Sequence, residues 1–280
     1  MPFIEANGKR LFYTHRTPGA ETSNTGITLL MIHGLGSSHS FYIPLFPYLL
    51  DAGFSCLAYD TYGSALSTFE DGTQDVNTMA KDALGLMAAF DISPERAVVV
   101  GHSMSGMVAC QLASQYPFAG AVLLGPVHPT PGVAGVFAKR IETVQNPKSD
   151  YGGSEQKEGM EAMADTVPGA ATGSKSTPLQ ESFIRALLLS QQPVGYVSLC
   201  KVIAEASPPE YNKVTCPLLI VAGEDDKSAP LQGCQTIFDS CGTDAQAKKI
   251  EILKGVGHWH CIEAADTIGP LMESFARKLV

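Results

Sequence analysis

The 280-residue sequence lacks the patterns that indicate a membrane-bound or exported protein. No apolar run approaches the roughly 20 residues needed to cross a bilayer, and the N-terminal segment has no signal-peptide core. We therefore expect a cytoplasmic protein. The seven cysteines are an odd number without Cys-x-x-Cys spacing, which argues against a disulfide framework or a zinc site. We expect free thiols in a reducing compartment and no bound metal.

Charged side chains are also sparse, at 17% of the sequence, and the net charge is -9. Proteins that bind nucleic acid or an anionic membrane surface usually present basic patches. We therefore expect neither as a partner, and a small molecule as the ligand. The sequence does not fix the oligomeric state, and a homodimer is one of the options. The apolar fraction of 45% is sufficient for a large core.

The most informative stretch runs from Ala97 to Gly106. Small and β-branched apolar residues lead directly to Gly101, and a helical pattern begins after Ser103, which predicts a buried strand, a sharp turn and a helix. A serine on such a turn is exposed above a helix N-terminus, where its hydroxyl can act as a nucleophile. The usual pattern is Gly-x-Ser-x-Gly, and Ser105 here occupies the second glycine position, where a small side chain still fits.

Further apolar runs predict the rest of the sheet. A hairpin signal lies around Asn7 and Gly8, and buried strands are predicted at 27–32, 56–59, 121–124, 217–222 and 249–253. Runs that are apolar on both faces, with helices between them, are typical of a parallel sheet covered by helices. Between 129 and 211 we predict only helices, near 133–145, 155–166, 179–191 and 195–206. We therefore predict a core domain at 1–127 and 212–280, and an inserted helical cap at 128–211.

A nucleophilic serine needs a base, and the base needs a carboxylate to orient it. The loop from Gly223 to Pro230 follows a predicted strand, at the sheet edge where ligands of parallel sheets bind. It offers Glu224, Asp225 and Asp226, and the spacing to the flanking glycine and proline favours Asp226. The loop after the strand that ends at Leu124 has no carboxylate and cannot supply this group.

The candidate base lies in the loop after the last predicted strand. His258 follows a Gly-x-Gly turn that ends at Gly257, which favours it over His260 because a tight turn can aim an imidazole. We interpret His260 as a partly buried residue at the start of the last helix. His102, beside the candidate nucleophile, is interpreted as a packed histidine that supports the turn.

An oxyanion on the substrate would need two N–H donors. We assign the backbone of Met104, after the candidate nucleophile, and of Leu35, in the glycine-rich loop at 33–36. Gly34 of that loop is assigned to substrate binding. His128 either faces the pocket or is an ordinary loop residue, and Trp259 either lines the pocket or lies in the core. The loop lacks the third glycine of a dinucleotide site, so no cofactor is expected.

Together these motifs resemble the α/β-hydrolase superfamily over the whole chain. The matching segments are His33-Gly34-x-Gly36, Gly101-His102-Ser103, Gly223-x-x-Asp226-x-x-x-Pro230 and Gly257-His258-x-x-x-x-Glu263. The resemblance implies a mostly parallel eight-stranded sheet flanked by helices, with an inserted helical cap. It also implies that Ser103, Asp226 and His258 form a catalytic triad, and that Glu263 is a structural partner of the histidine loop.

The segments at 159–165 and 186–196 resemble cap helices of the 3-oxoadipate enol-lactonase-like group. Residues 167–171 lack the Arg-Trp-Phe-type segment that this group often carries, so the resemblance implies a lactone or small ester rather than that particular substrate. The segment at 101–107 also resembles the nucleophile turn of butenolide-sensing receptor hydrolases. We predict a serine hydrolase of a small lactone or carboxylic ester that forms an acyl-enzyme. The alternatives are a receptor-type hydrolase with slow turnover and a C–C bond hydrolase of a ring-cleavage product.

Overall fold

The computed structural model describes residues 2–146 and 159–280 and is centred on an eight-stranded sheet. Its strands are β1 (Phe3–Ala6), β2 (Lys9–Arg16), β3 (Thr28–Ile32), β4 (Ser55–Tyr59), β5 (Ala97–His102), β6 (Gly120–Leu124), β7 (Leu218–Gly223) and β8 (Lys248–Leu253). The order is β1-β2-β4-β3-β5-β6-β7-β8, and β2 pairs antiparallel with both neighbours while all other pairs are parallel. The mostly parallel eight-stranded sheet expected from the sequence is confirmed.

Two apolar layers cover the sheet because its inner strands are apolar on both faces. In β3, Leu30 and Ile32 face one layer, whereas Leu29 and Met31 face the other. The first layer contains α2 (Val76–Ala88), α3 (Ser105–Gln115) and α8 (Leu231–Ser240), and the second contains α1 (Phe46–Asp51), α9 (His260–Glu263) and α10 (Ala265–Ala276). None of the described helices is long and apolar enough to cross a membrane.

Among the described residues, four α-helices lie between β6 and β7, and we call them the helical insertion. They are α4 (Pro131–Gln145), α5 (Gly159–Ala171), α6 (Pro178–Leu189) and α7 (Pro193–Glu205). The predicted start of the second helix at 155–158 lies outside the described residues. Its predicted end at 166 is wrong, because α5 continues through Pro168 to Ala171. The apolar pattern predicts one last helix from about 262 to 279, but Ala264, with φ -143°, separates α9 from α10.

Candidate active site

Ser103 occupies a strained turn between β5 and α3. Its φ of 56° lies in the left-handed region, which a residue with a side chain rarely adopts. A Cβ at Gly101 would lie 2.2 Å from the backbone oxygen of Ser105, so the chain cannot make this turn with a larger residue there. The turn holds the Ser103 side chain at the C-terminal end of the central strand, where an active site of a parallel sheet is expected.

Ser105, which replaces the second glycine of the usual pattern, has a specific contact. Its Oγ donates a 2.6 Å hydrogen bond to the backbone oxygen of His33, and the side chain is fully buried. The close approach that requires glycine occurs one residue later, since a Cβ at Gly106 would lie 2.7 Å from the Cβ of Pro126. The serine therefore links the start of α3 to the loop at 33–36.

His258 lies between Ser103 and Asp226. Its Nε2 is 2.8 Å from Ser103 Oγ, and its Nδ1 is 2.8 Å from Asp226 Oδ2. Since a carboxylate can only accept, Nδ1 carries the hydrogen and Nε2 is free to accept the serine proton. The three side chains, which come from loops after three different strands, form one continuous hydrogen-bonded relay.

Asp226 is fixed in place from its other side. Its Oδ1 accepts the backbone N–H groups of Ser228 and Ala229, each at 2.8 Å. Burial alone would raise the pKa of Asp226, but His258, His260 and the backbone N–H of Ala229 bring that pKa below its usual value. The competing carboxylates point elsewhere, because Asp225 accepts from Ser174 N and Glu224 accepts from Gly255 N.

The loop at 33–36 passes directly above the nucleophile turn. A Cβ at Gly34 would lie 2.8 Å from both Ser103 Cβ and His102 Nδ1, so only glycine fits there. Among the described residues, no acceptor takes the backbone N–H of Leu35 or of Met104. These are the two donors that the sequence assigns to an oxyanion.

The other two predicted pocket residues have different surroundings. His128 Nδ1 is 3.2 Å from the hydroxyl of Tyr211, and its Cβ lies near Gly233. Trp259 is 2% exposed and belongs to the apolar cluster of the second layer. These contacts favour the loop position for His128 and the core position for Trp259, which are the alternatives left open by the sequence.

Two sets of contacts around His258 have no counterpart in the sequence motifs. His102 and His260 both contact its backbone oxygen. Its N–H donates to the backbone oxygen of Ala171, at the end of α5, at 2.7 Å. The only sequence signal for these contacts was the presence of two further histidines beside the motifs, which does not identify what they bind.

Glu263 joins the histidine loop to the helical insertion. Its Oε2 accepts the N–H groups of Gly173 at 2.7 Å and Gly257 at 2.9 Å, and its Oε1 accepts that of Trp259 at 2.9 Å. Burial raises the pKa of Glu263, and these three donors offset part of that effect. The structural role implied by the sequence resemblance thus extends to the turn after α5.

A serine in hydrogen-bond contact with a histidine, itself oriented by a carboxylate, can attack an acyl carbon. Within residues 2–146 and 159–280, no group of three or more His, Cys, Asp or Glu side chains is placed to hold a metal ion. The eight-stranded sheet with a strained serine after its central strand defines an α/β-hydrolase fold. The model of the alpha/beta hydrolase family matches residues 29–268, and the chain belongs to that family.

Curated relatives match mainly over part of their length. AB hydrolase superfamily protein YfhM of Bacillus subtilis (strain 168) is 30% identical over 117 residues, which are 41% of this chain and 38% of that protein. Other relatives at 32–34% identity are likewise matched over only 27–38% of their length. A relative in Stutzerimonas stutzeri (strain A1501) is 25% identical over 76% of this chain and 79% of its own.

Solved structures match over nearly the whole chain. The enol-lactonase from Burkholderia xenovorans LB400 has a TM-score of 0.84 at 22% identity, over 99% of this chain and 100% of that one. A thermophilic esterase from Thermogutta terrifontis has a TM-score of 0.81 at 20% identity, over 99% and 98%. At these identities the likeness shows the fold alone. The expected resemblance to enol-lactonases is confirmed at that level.

Proposed function

We propose that the protein hydrolyses a small lactone or carboxylic ester through an acyl-enzyme. The observation that carries this proposal is the unbroken relay from Ser103 through His258 to Asp226, with 2.8 Å at each step. Ser103 Oγ attacks the carbonyl carbon while His258 Nε2 takes its proton. Asp226 stabilises the imidazolium, and the N–H groups of Leu35 and Met104 bind the oxyanion.

The second half of the reaction uses the same groups. His258 gives its proton to the leaving oxygen, which remains attached through the ring when the substrate is a lactone. A water molecule then loses its proton to His258 and attacks the acyl carbon, and the Ser103 oxygen leaves and takes the proton back. This sequence consumes one water and leaves the protein unchanged.

We further propose that residues 128–211 form a cap over this site. Two contacts support it: a Cβ at Gly36 would lie 2.7 Å from Leu188 in α6 and 3.3 Å from Tyr196 in α7. Leu35 of the loop at 33–36 is partly buried, as is Phe137 of α4, and each contacts both apolar layers. An apolar surface of this kind favours a small, largely uncharged acyl group.

The test is multiple-turnover hydrolysis of p-nitrophenyl acetate, γ-butyrolactone and δ-valerolactone by the wild type and by Ser103→Ala. We expect turnover by the wild type and a loss of about 10³-fold or more in the variant. Full activity in Ser103→Ala would refute the mechanism. One product equivalent that stays bound would favour the receptor-type alternative, and inactivity on all three compounds would contradict the substrate class.

A further inference from the structure

The backbone oxygen of His258 accepts two hydrogen bonds from two other histidines. His102 Nε2, at the end of β5, lies 2.8 Å from it, and His260 Nδ1, at the start of α9, also lies at 2.8 Å. Both rings are buried, at 2% and 0% exposure. A carbonyl oxygen uses its two lone pairs on two donors, so this acceptor is saturated.

Each ring is held in one tautomer by this contact. A carbonyl has no hydrogen to give, so both ring nitrogens must donate. Burial lowers the pKa of His102 well below its usual value and also lowers that of His260, so both rings are neutral with a single N–H. That hydrogen is on Nε2 of His102 and on Nδ1 of His260.

In the part of the chain that the structure describes, the second nitrogen of each ring has no partner. His102 Nδ1 and His260 Nε2 are buried without a hydrogen bond among the described residues. Burying a polar atom without a partner is unfavourable, and an apolar side chain would fill either position without this penalty. The polar contact that each ring makes is its hydrogen bond to the carbonyl of His258. This hydrogen bond explains why a histidine stands at both positions.

We propose that His102 and His260 are positioning residues for the base of the reaction. They hold the carbonyl of His258 from two directions, while Ala171 holds its N–H at 2.7 Å. Gly257 precedes the base, so the peptide on that side has few intrinsic restraints. These hydrogen bonds on its backbone keep the imidazole of His258 within hydrogen-bond distance of both Ser103 and Asp226. This inference rests on the proposed function.

The test separates the hydrogen-bond donor from the bulk of the ring. Gln places an N–H near the position of His Nε2, and Asn places one near that of His Nδ1, whereas Leu has none. The variants are His102→Gln with His102→Leu, and His260→Asn with His260→Leu. Each pair is an independent test, so failure of one variant to fold leaves the other pair decisive.

Two reactions are followed with protein that thermal unfolding shows to be folded. The first is the hydrolysis of p-nitrophenyl acetate, which gives kcat and KM. The other is the rate at which a fluorophosphonate labels Ser103, where the Oγ–P bond forms, fluoride leaves and His258 takes the proton. Because a misplacement of about 1 Å can lower a rate about 10²-fold, we expect the Leu variants to lose about 10- to 100-fold in both rates. KM should stay within about twofold, and the amide variants within about threefold of wild type.

Equal rates for the Leu and amide variants of a pair, whether slow or fast, would overturn the positioning role of that histidine, because the donor would then have no effect. A rise in KM at unchanged kcat would also overturn it. Ser103→Ala distinguishes this failure from a failure of the proposed function. If that variant is inactive and the Leu variants react at wild-type rates, only the positioning role is wrong.

Discussion

Lowering the pH from 7.5 to 5.5 should destabilise this protein through three buried histidines. His33, His102 and His260 are each 2% exposed or less. Burial lowers the pKa of all three from the usual 6.5. In the unfolded chain these rings are exposed and take up protons as the pH falls below about 6.5. The unfolded state then binds more protons than the folded state, so the free energy of unfolding falls with pH.

The magnitude follows from the same linkage. A ring that stays neutral in the folded protein loses about 1.4 kcal/mol of stability between pH 7.5 and 5.5, and three rings lose at most about 4 kcal/mol. That is a large part of the roughly 5–15 kcal/mol typical of a folded domain. Burial raises the pKa of Asp82 and of Glu263, which favours the folded state at lower pH. The range above pH 5.5 lies above the usual pKa of both carboxyls, which limits this opposing contribution.

The assay is equilibrium unfolding in urea at half-unit steps of pH, with the slope of the transition checked for constancy. His260→Asn is the control, because it removes one titrating ring and should reduce the pH dependence by up to about 1.4 kcal/mol. A change of less than about 1 kcal/mol over this range would refute the assignment of neutral buried rings. If the pH dependence of the free energy of unfolding is unchanged in His260→Asn, the His260 ring does not contribute to it.

Three further outcomes can be measured on single variants. Asp226→Asn should keep the fold and lower kcat about 10⁴-fold, because an amide no longer favours the His258 tautomer with hydrogen on Nδ1; a loss under tenfold would contradict the relay. Ser105→Ala should lower the free energy of unfolding by about 1–3 kcal/mol, measured in urea, because the His33 carbonyl loses its 2.6 Å donor. Glu263→Gln should lower the free energy of unfolding by about 1–3 kcal/mol, because one amide oxygen cannot accept all three N–H groups, although the charge is no longer buried. Hydrogen exchange at the Gly257 N–H should become faster in this variant. An unchanged exchange rate would contradict the prediction.

The sheet and the candidate relay could be predicted because their signals are local. Each strand next to Ser103 and Asp226 is a short apolar run, and each loop that follows contains a polar side chain of the required type. Parallel strands end at one edge of the sheet, so side chains distant in sequence are brought together by topology alone. The division of the chain at 128–211 and the roles of the site residues remain predictions.

What could not be predicted depends on tertiary contacts. Pro168 removes a backbone donor and normally marks the end of a helix, so the sequence favoured an end near 166. In the structure Pro168 and Ala171 are buried, and Thr172 N donates to the oxygen of Pro168. Burial of this last turn thus outweighs the local preference. The extra turn brings the oxygen of Ala171 to the N–H of His258.

That extra turn connects the helical insertion to the base. Hydrogen bonds from the insertion and its connecting turns to the histidine loop include the Ala171 oxygen on the N–H of His258, and the Gly173 N–H on Glu263. The core contributes the donors on the carbonyl of His258. The peptide groups on both sides of His258 are therefore held by segments far apart in sequence. A displacement of α5 would move the His258 backbone through its hydrogen bond to Ala171. The motif specifies which side chains meet, whereas the hydrogen bonds on the backbone of His258 come from both the insertion and the core.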